Sequence, residues 1–172
     1  MSLKVNVGDA VPSVGLRATD GYLLNLRSFV TKQPALLVFL AAPTTAGAAK
    51  RRGLKTVDAM VAGYERLREA GIAVAGVTTD SEQQQAAFAT ERKLPFLLLS
   101  DERRSAVSLL GVETAANGEN VNIARPVALV VDIDGSVRAV VDPVEPDALV
   151  DVVIRALAEP LPAVTGDASP LS

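Results

Sequence analysis

Three uninterrupted apolar runs punctuate this chain, each set off by turn residues. Ala35-Leu36-Leu37-Val38-Phe39-Leu40 lies between Pro34 and Pro43-Thr44-Thr45, residues 72–77 form the second run, and Phe96-Leu97-Leu98-Leu99 follows Pro95. Runs this short and this continuous are expected of strands buried on both faces, which places the first at the centre of a sheet. Between the runs the period changes. Leu54, Val57, Val61, Tyr64 and Leu67 recur at helical spacing within residues 45–70, and Gly71 closes the stretch, so a long helix with one apolar stripe is predicted. Thr78, Thr79, Asp80 and Ser81 end the second strand and offer capping oxygens to a helix over 83–92, while Asp101 is placed to cap a short helix that ends near Gly111. Strand, helix, strand, helix in this order predicts βαβ units with parallel strands and right-handed crossovers.

The flanks are patterned differently. Short apolar pieces on either side of Asp20-Gly21 predict an N-terminal hairpin, and residues 128–132 and 136–141 flank Asp134-Gly135 as a second one. Residues 114–124 are polar and rich in Asn and Gly, and are expected to be a loop. Leu149, Val152, Val153 and Leu157 give residues 147–158 the stripe of a terminal helix, and the prolines and small polar residues beyond predict a loose tail. The expected organisation is one α/β domain over residues 1–158 with a tail over 159–172.

Composition narrows the chemistry sharply. The 172 residues include no cysteine and no histidine. Thiolate nucleophiles, disulfides, zinc sites of the usual cysteine/histidine kind and a serine triad with its usual base are therefore excluded. A net charge of −3 argues against nucleic-acid binding driven by counter-ion release. Lys50, Arg51, Arg52 and Lys55 form a basic cluster early in the long helix, where cations oppose the helix dipole; a solvated face or a seat for a phosphate or acidic partner both fit it. Asp132-Ile133-Asp134-Gly135 begins like a calcium loop but lacks the later acidic ligands, and neither a P-loop nor a dinucleotide glycine fingerprint is present. No cofactor and no metal are expected. The first residues lack a secretory pattern and no apolar stretch has membrane-spanning length, so a cytoplasmic protein without membrane contacts is expected.

Several segments taken together resemble a known family. Val7-Gly8-Asp9-Ala10-Val11-Pro12, Thr19-Asp20-Gly21, the run at 35–40, Gly76-Val77-Thr78-Thr79-Asp80-Ser81, Leu94-Pro95-Phe96, Ser100-Asp101, Leu110-Gly111-Val112 and Asp132-Ile133-Asp134-Gly135 are similar, in order and spacing, to peroxiredoxins of the alkyl hydroperoxide reductase and thiol-specific antioxidant superfamily. The bacterioferritin-comigratory type is the nearest subgroup, and the resemblance runs from about residue 4 to 158. It implies a thioredoxin-like fold, a central mixed sheet flanked by helices, with an N-terminal hairpin extension.

The same resemblance implies where a peroxide site would lie. The family's proline falls at Ala41, its threonine at Thr45, its glycine at Gly47 and its peroxide-attacking cysteine at Ala48. Threonine and glycine are kept; proline and cysteine are not. The family arginine falls at Pro126, with Arg125 one residue early, and a proline there resembles the cis-proline that thioredoxins place beside their site. In that second frame the redox cysteines would fall at Thr44 and Gly47, again without sulfur. Thr45, Gly47, Ala48, Arg125 and Pro126 are thus the residues of a remnant site, with Thr45 as a helix cap in the plainest reading. The expected function is that of a peroxiredoxin-like member of an antioxidant, oxidoreductase family, non-catalytic as a thiol peroxidase, that binds a protein partner or a small anionic ligand. The alternative is a thiol-dependent peroxidase whose cysteine has been replaced at Ala48. Homodimerisation is a further arrangement that the resemblance suggests.

Overall fold

The computed structural model describes residues 3–30, 32–41, 47–117 and 120–158. The chain opens with the expected hairpin, β1 (Gly15–Ala18) and β2 (Leu23–Asn25), paired antiparallel with Leu16 opposite Leu24. A short helix that the pattern did not predict, α1 (Leu26–Val30), follows at once; its five residues are too few to show a stripe, and Leu26 and Val30 are its buried positions.

The first apolar run becomes β3 (Ala35–Phe39), buried at every position. The remaining elements are α2 (Gly47–Glu69), β4 (Ala73–Thr78), α3 (Glu82–Arg92), β5 (Leu97–Ser100), α4 (Ser105–Leu110), β6 (Thr114–Asn117), β7 (Asn120–Ile123), β8 (Val127–Val131), β9 (Val137–Val141) and α5 (Leu149–Ala158), the last entered through a 3-10 turn at Pro146–Ala148. Seven strands make one sheet in the order β2-β1-β5-β4-β3-β8-β9. β3 pairs parallel with β4 and β4 with β5, whereas β8 lies antiparallel to β3 and β9 to β8. The central position of β3 is explained by its burial, because only a strand covered on both faces can be apolar throughout.

Side chains of β3 alternate between two cores. Leu37 and Phe39 join Leu26, Val77, Leu99, Val107 and Leu129 on one face, and Leu36 and Val38 join Val57, Met60, Phe88, Leu98 and Val153 on the other. The structure is thus the mixed sheet, flanked by helices, that the resemblance implied. One expectation is corrected: residues 114–124 are not a plain loop, since β6 and β7 pair antiparallel as a separate two-stranded ribbon, with Thr114 opposite Ile123. Its polar residues obscure the strand signal, because the ribbon is not part of the main sheet and needs no continuous apolar face. The tail at 159–172 lies outside the described residues.

Two caps show how sequence sets the helix starts. Ser81 opens α3 with a reciprocal capping box, accepting from the Gln84 amide at 3.2 Å while the Gln84 side chain accepts from the Ser81 amide at 2.9 Å. Asp101 serves α4 from further back than a simple N-cap: its carboxylate accepts from the Ala106 and Val107 amides at 3.2 and 2.8 Å, across a turn in which Arg104 is left-handed. Burial pushes the Asp101 carboxyl above the usual aspartate range in spite of those amides. The folded chain therefore holds this proton more tightly than the unfolded chain, and the stabilisation is lost as pH rises through the raised value. In urea titrations, wild type is expected to lose ground against Asp101→Asn as pH climbs from about 4, the ordinary aspartate value. Parallel curves for the two proteins would show that Asp101 has no such coupling.

Candidate functional site

Two segments that the resemblance singles out meet at one end of the sheet. β3 runs out through Leu40 and Ala41, both buried, and the chain re-emerges at Gly47, where α2 begins. Gly47 takes a φ of 65°, a left-handed value that glycine reaches without the steric penalty of a Cβ. Ala48 follows in the first turn and is exposed. Thr44 and Thr45 lie outside the described residues, so the capping expectation at Thr45 does too.

The other side of the site is the connection from β7 to β8. Arg52, one turn beyond Ala48, donates from Nη2 to the Ala124 carbonyl at 3.1 Å and ties the start of α2 to this connection. Arg125 comes next, and its guanidinium is held by two carboxylates. Nε and Nη2 donate to Asp142 at 2.8 and 3.0 Å, and Nη1 donates to Glu113 at 2.7 Å. The fork–fork arrangement on Asp142 is the strong form of an arginine–carboxylate pair. Asp142 and then Glu113 raise the guanidinium above its ordinary value, while Arg125 holds the Glu113 carboxyl below the usual glutamate range. Three of the five guanidinium N–H groups are thus committed inside the protein.

Pro126 enters β8 at this point, but the peptide before it is not cis. Among the described residues the cis peptide is Asp142–Pro143, in the segment that follows β9. The expectation of a cis bond at Pro126 is corrected: the two segments meet through the Val144 amide, which donates to the Pro126 carbonyl at 3.3 Å, and Pro143 carries the cis geometry. The proline by itself could not show which of two neighbouring X-Pro bonds would be cis.

Between these parts lies a cavity of about 500 Å³. Arg52, Lys55 and Thr56 of α2 form one wall, Ala124, Arg125 and Pro126 a second, and the segment 143–146 a third, with Glu113 at the edge. Thr56 is fully buried and donates to the Arg52 carbonyl at 2.9 Å, so it adds no free donor to the cavity. Arg125 and Pro126 therefore share a cavity with Arg52 and Lys55 of the basic cluster. No sequence pattern marks Glu113 and Asp142 as partners of Arg125; they lie 12 and 17 positions away, and only the fold brings them to it. A second groove of about 650 Å³, walled by Phe29, Tyr64 and Phe96, opens near the starts of β4 and β5 and contains none of the remnant-site residues.

A sheet of this order, with α2 starting beside the β7–β8 connection, defines the thioredoxin-like class. The AhpC/TSA family pattern matches residues 7–140, and the chain belongs to that family. Peroxiredoxin Bcp of Escherichia coli strain K12 is 29% identical over 157 residues, spanning 90% of this chain and 97% of that protein. Chloroplastic peroxiredoxin Q of Populus jackii is 39% identical over 99 residues, a match that covers 58% of this chain and 44% of the plant protein, so this chain spans less than half the length of that relative. The crystal structure of peroxidoxin BcpB from Mycobacterium tuberculosis superposes with a TM-score of 0.75 at 24% identity, over 90% of this chain and 97% of that one, and shows the shared fold. Among the described residues no helix is long and apolar enough to cross a membrane.

Proposed function

We propose that this peroxiredoxin-family chain does not reduce peroxides by a thiol route and acts instead by binding, through the cavity beside Arg125, a small anionic ligand or a protein partner, with the cytoplasm as its compartment. The observation that carries the reading is the sequence itself: no residue can supply a thiolate at Ala48 or anywhere else. The state of Arg125 supports it. An arginine that assists peroxide chemistry has to present N–H groups to the reacting oxygens, and here the guanidinium is turned onto Asp142 and Glu113.

The second reading, a peroxidase whose cysteine has been replaced, makes a separate prediction. Ala48 stands in the first turn of α2, where free amides and the positive end of the helix dipole would lower the pKa of a thiol placed there. Hydrogen-peroxide and alkyl-hydroperoxide consumption, coupled to a thioredoxin reducing system, separates the two. Neither the wild type nor Ala48→Cys is expected to turn over. Turnover by the variant alone would establish an intact pocket lacking only its nucleophile, and turnover by the wild type would overturn the binding-only reading.

A further inference from the structure

The walls of the cavity beside Arg125 differ in charge and in stiffness, and the difference selects a ligand. Arg52 and Lys55 are three residues apart on α2 and so share a helix face. Neither makes an ion pair among the described residues, and Arg52 spends one N–H on the Ala124 carbonyl, which fixes its guanidinium and leaves the rest of the fork open. No acidic residue stands in the first turn of α2 to offset these cations.

The facing surface is apolar and pre-shaped. Pro126, Pro143, Val144 and Pro146 form it. Proline rings have fixed φ and no N–H to satisfy, so the wall needs little ordering when a ligand arrives. Among the described residues no aromatic side chain lines the cavity, which removes stacking as a means of recognising a nucleobase.

Charge then limits the anion. Glu145 stands at the rim and makes no ion pair among the described residues, so it adds a negative charge there. A doubly charged phosphate facing Arg52 and Lys55 would meet that charge with twice the repulsion of a single carboxylate, which also suits the fork of Arg52. The volume of about 500 Å³ lies within the range of small-molecule sites and leaves room for an apolar body behind the carboxylate.

We propose that this cavity binds a small organic monocarboxylate, with its carboxylate on Arg52 and Lys55 and its apolar body against Pro126, Pro143 and Pro146. The inference rests on the binding reading given above and names the ligand class for it.

Calorimetric titration with 3-phenylpropanoate, 3-phenylpropanamide and inorganic phosphate tests it. The carboxylate is expected to saturate one site at low ionic strength, with the neutral amide and inorganic phosphate each at least ~10-fold weaker because they lack the charge or the apolar body. Arg52→Gln and Lys55→Gln should each weaken the carboxylate by ~5-fold or more, and Lys50→Gln, outside the cavity, should not. Both cations are exposed, so these variants are expected to fold, and a thermal melt of each checks it. Equal affinity for acid and amide, phosphate binding as tight as the carboxylate, equal loss on Lys50→Gln, or no saturation would each overturn the proposal. Peroxide consumption by the same wild-type preparation decides the binding-only reading independently, since turnover would sink that reading whatever the titration shows.

Discussion

Phe39→Ala is expected to lower the free energy of unfolding by ~3–5 kcal/mol, the range for emptying a fully buried aromatic position. Phe39 has no solvent exposure and closes β3, hydrogen-bonded on one side to β4 and on the other to β8, where it stands opposite Val77 and Val127. Its side chain belongs to the core that also holds Ala41, so the cavity would open directly beneath the exit from β3 toward α2. Two effects add: the apolar surface lost, and the void that a strand paired on both edges cannot collapse to fill. Urea denaturation followed by far-ultraviolet circular dichroism gives the value, and a loss under ~1 kcal/mol would mean that the core around β3 relaxes far more readily than close packing allows.

The second large effect is at Gly63. A Cβ added there would sit 2.2 Å from Val150 Cγ2, so α2 and α5 touch with no room for even a methyl group. Alanine favours a helix by ~1 kcal/mol over glycine. Overpacking typically costs ~1–3 kcal/mol, and an approach this short places Gly63→Ala toward the upper end, so the net change is destabilising. The diagnostic is the double variant. Val150→Ala alone should destabilise by leaving a void, yet in the Gly63→Ala background it should recover stability, a coupling that a double-mutant cycle reads directly. If the two losses simply add, the contact between the helices is not what limits position 63.

Much of the fold is legible in the amino-acid sequence, for reasons that differ by element. β3, β4 and β5 are legible because strands buried on both faces admit few polar residues, and α2 because Val57 and Leu67 of its expected stripe are buried, although Val61 of that stripe is exposed and Met60 is buried instead. The β6–β7 ribbon is hard to read because it is paired apart from the sheet and each strand has four residues, so the alternation of Asn120-Val121-Asn122-Ile123 is short and set among turn-forming Asn and Gly. α1 was missed because five residues span little more than one turn. At the candidate site, family likeness points to Thr45, Gly47, Ala48, Arg125 and Pro126, of which Arg125 and Pro126 line one cavity and Gly47 and Ala48 do not line it. What sequence could not show is the company Arg125 keeps. Glu113 precedes β6 and Asp142 follows β9, and nothing in local spacing marks either as its partner; nor does local spacing show that Arg52 reaches the Ala124 carbonyl.

The double embrace of Arg125 bears on how this scaffold could be redesigned. Installing sulfur at position 48 changes one residue, but the guanidinium would still be bound to two carboxylates carried by separate segments of chain. Releasing only one of them leaves the other in place, so neither Glu113→Gln nor Asp142→Asn alone returns a free cation. On the binding reading proposed above, a cysteine at position 48 would therefore stand near an arginine already engaged elsewhere, and freeing that guanidinium would take changes on two separate segments at once.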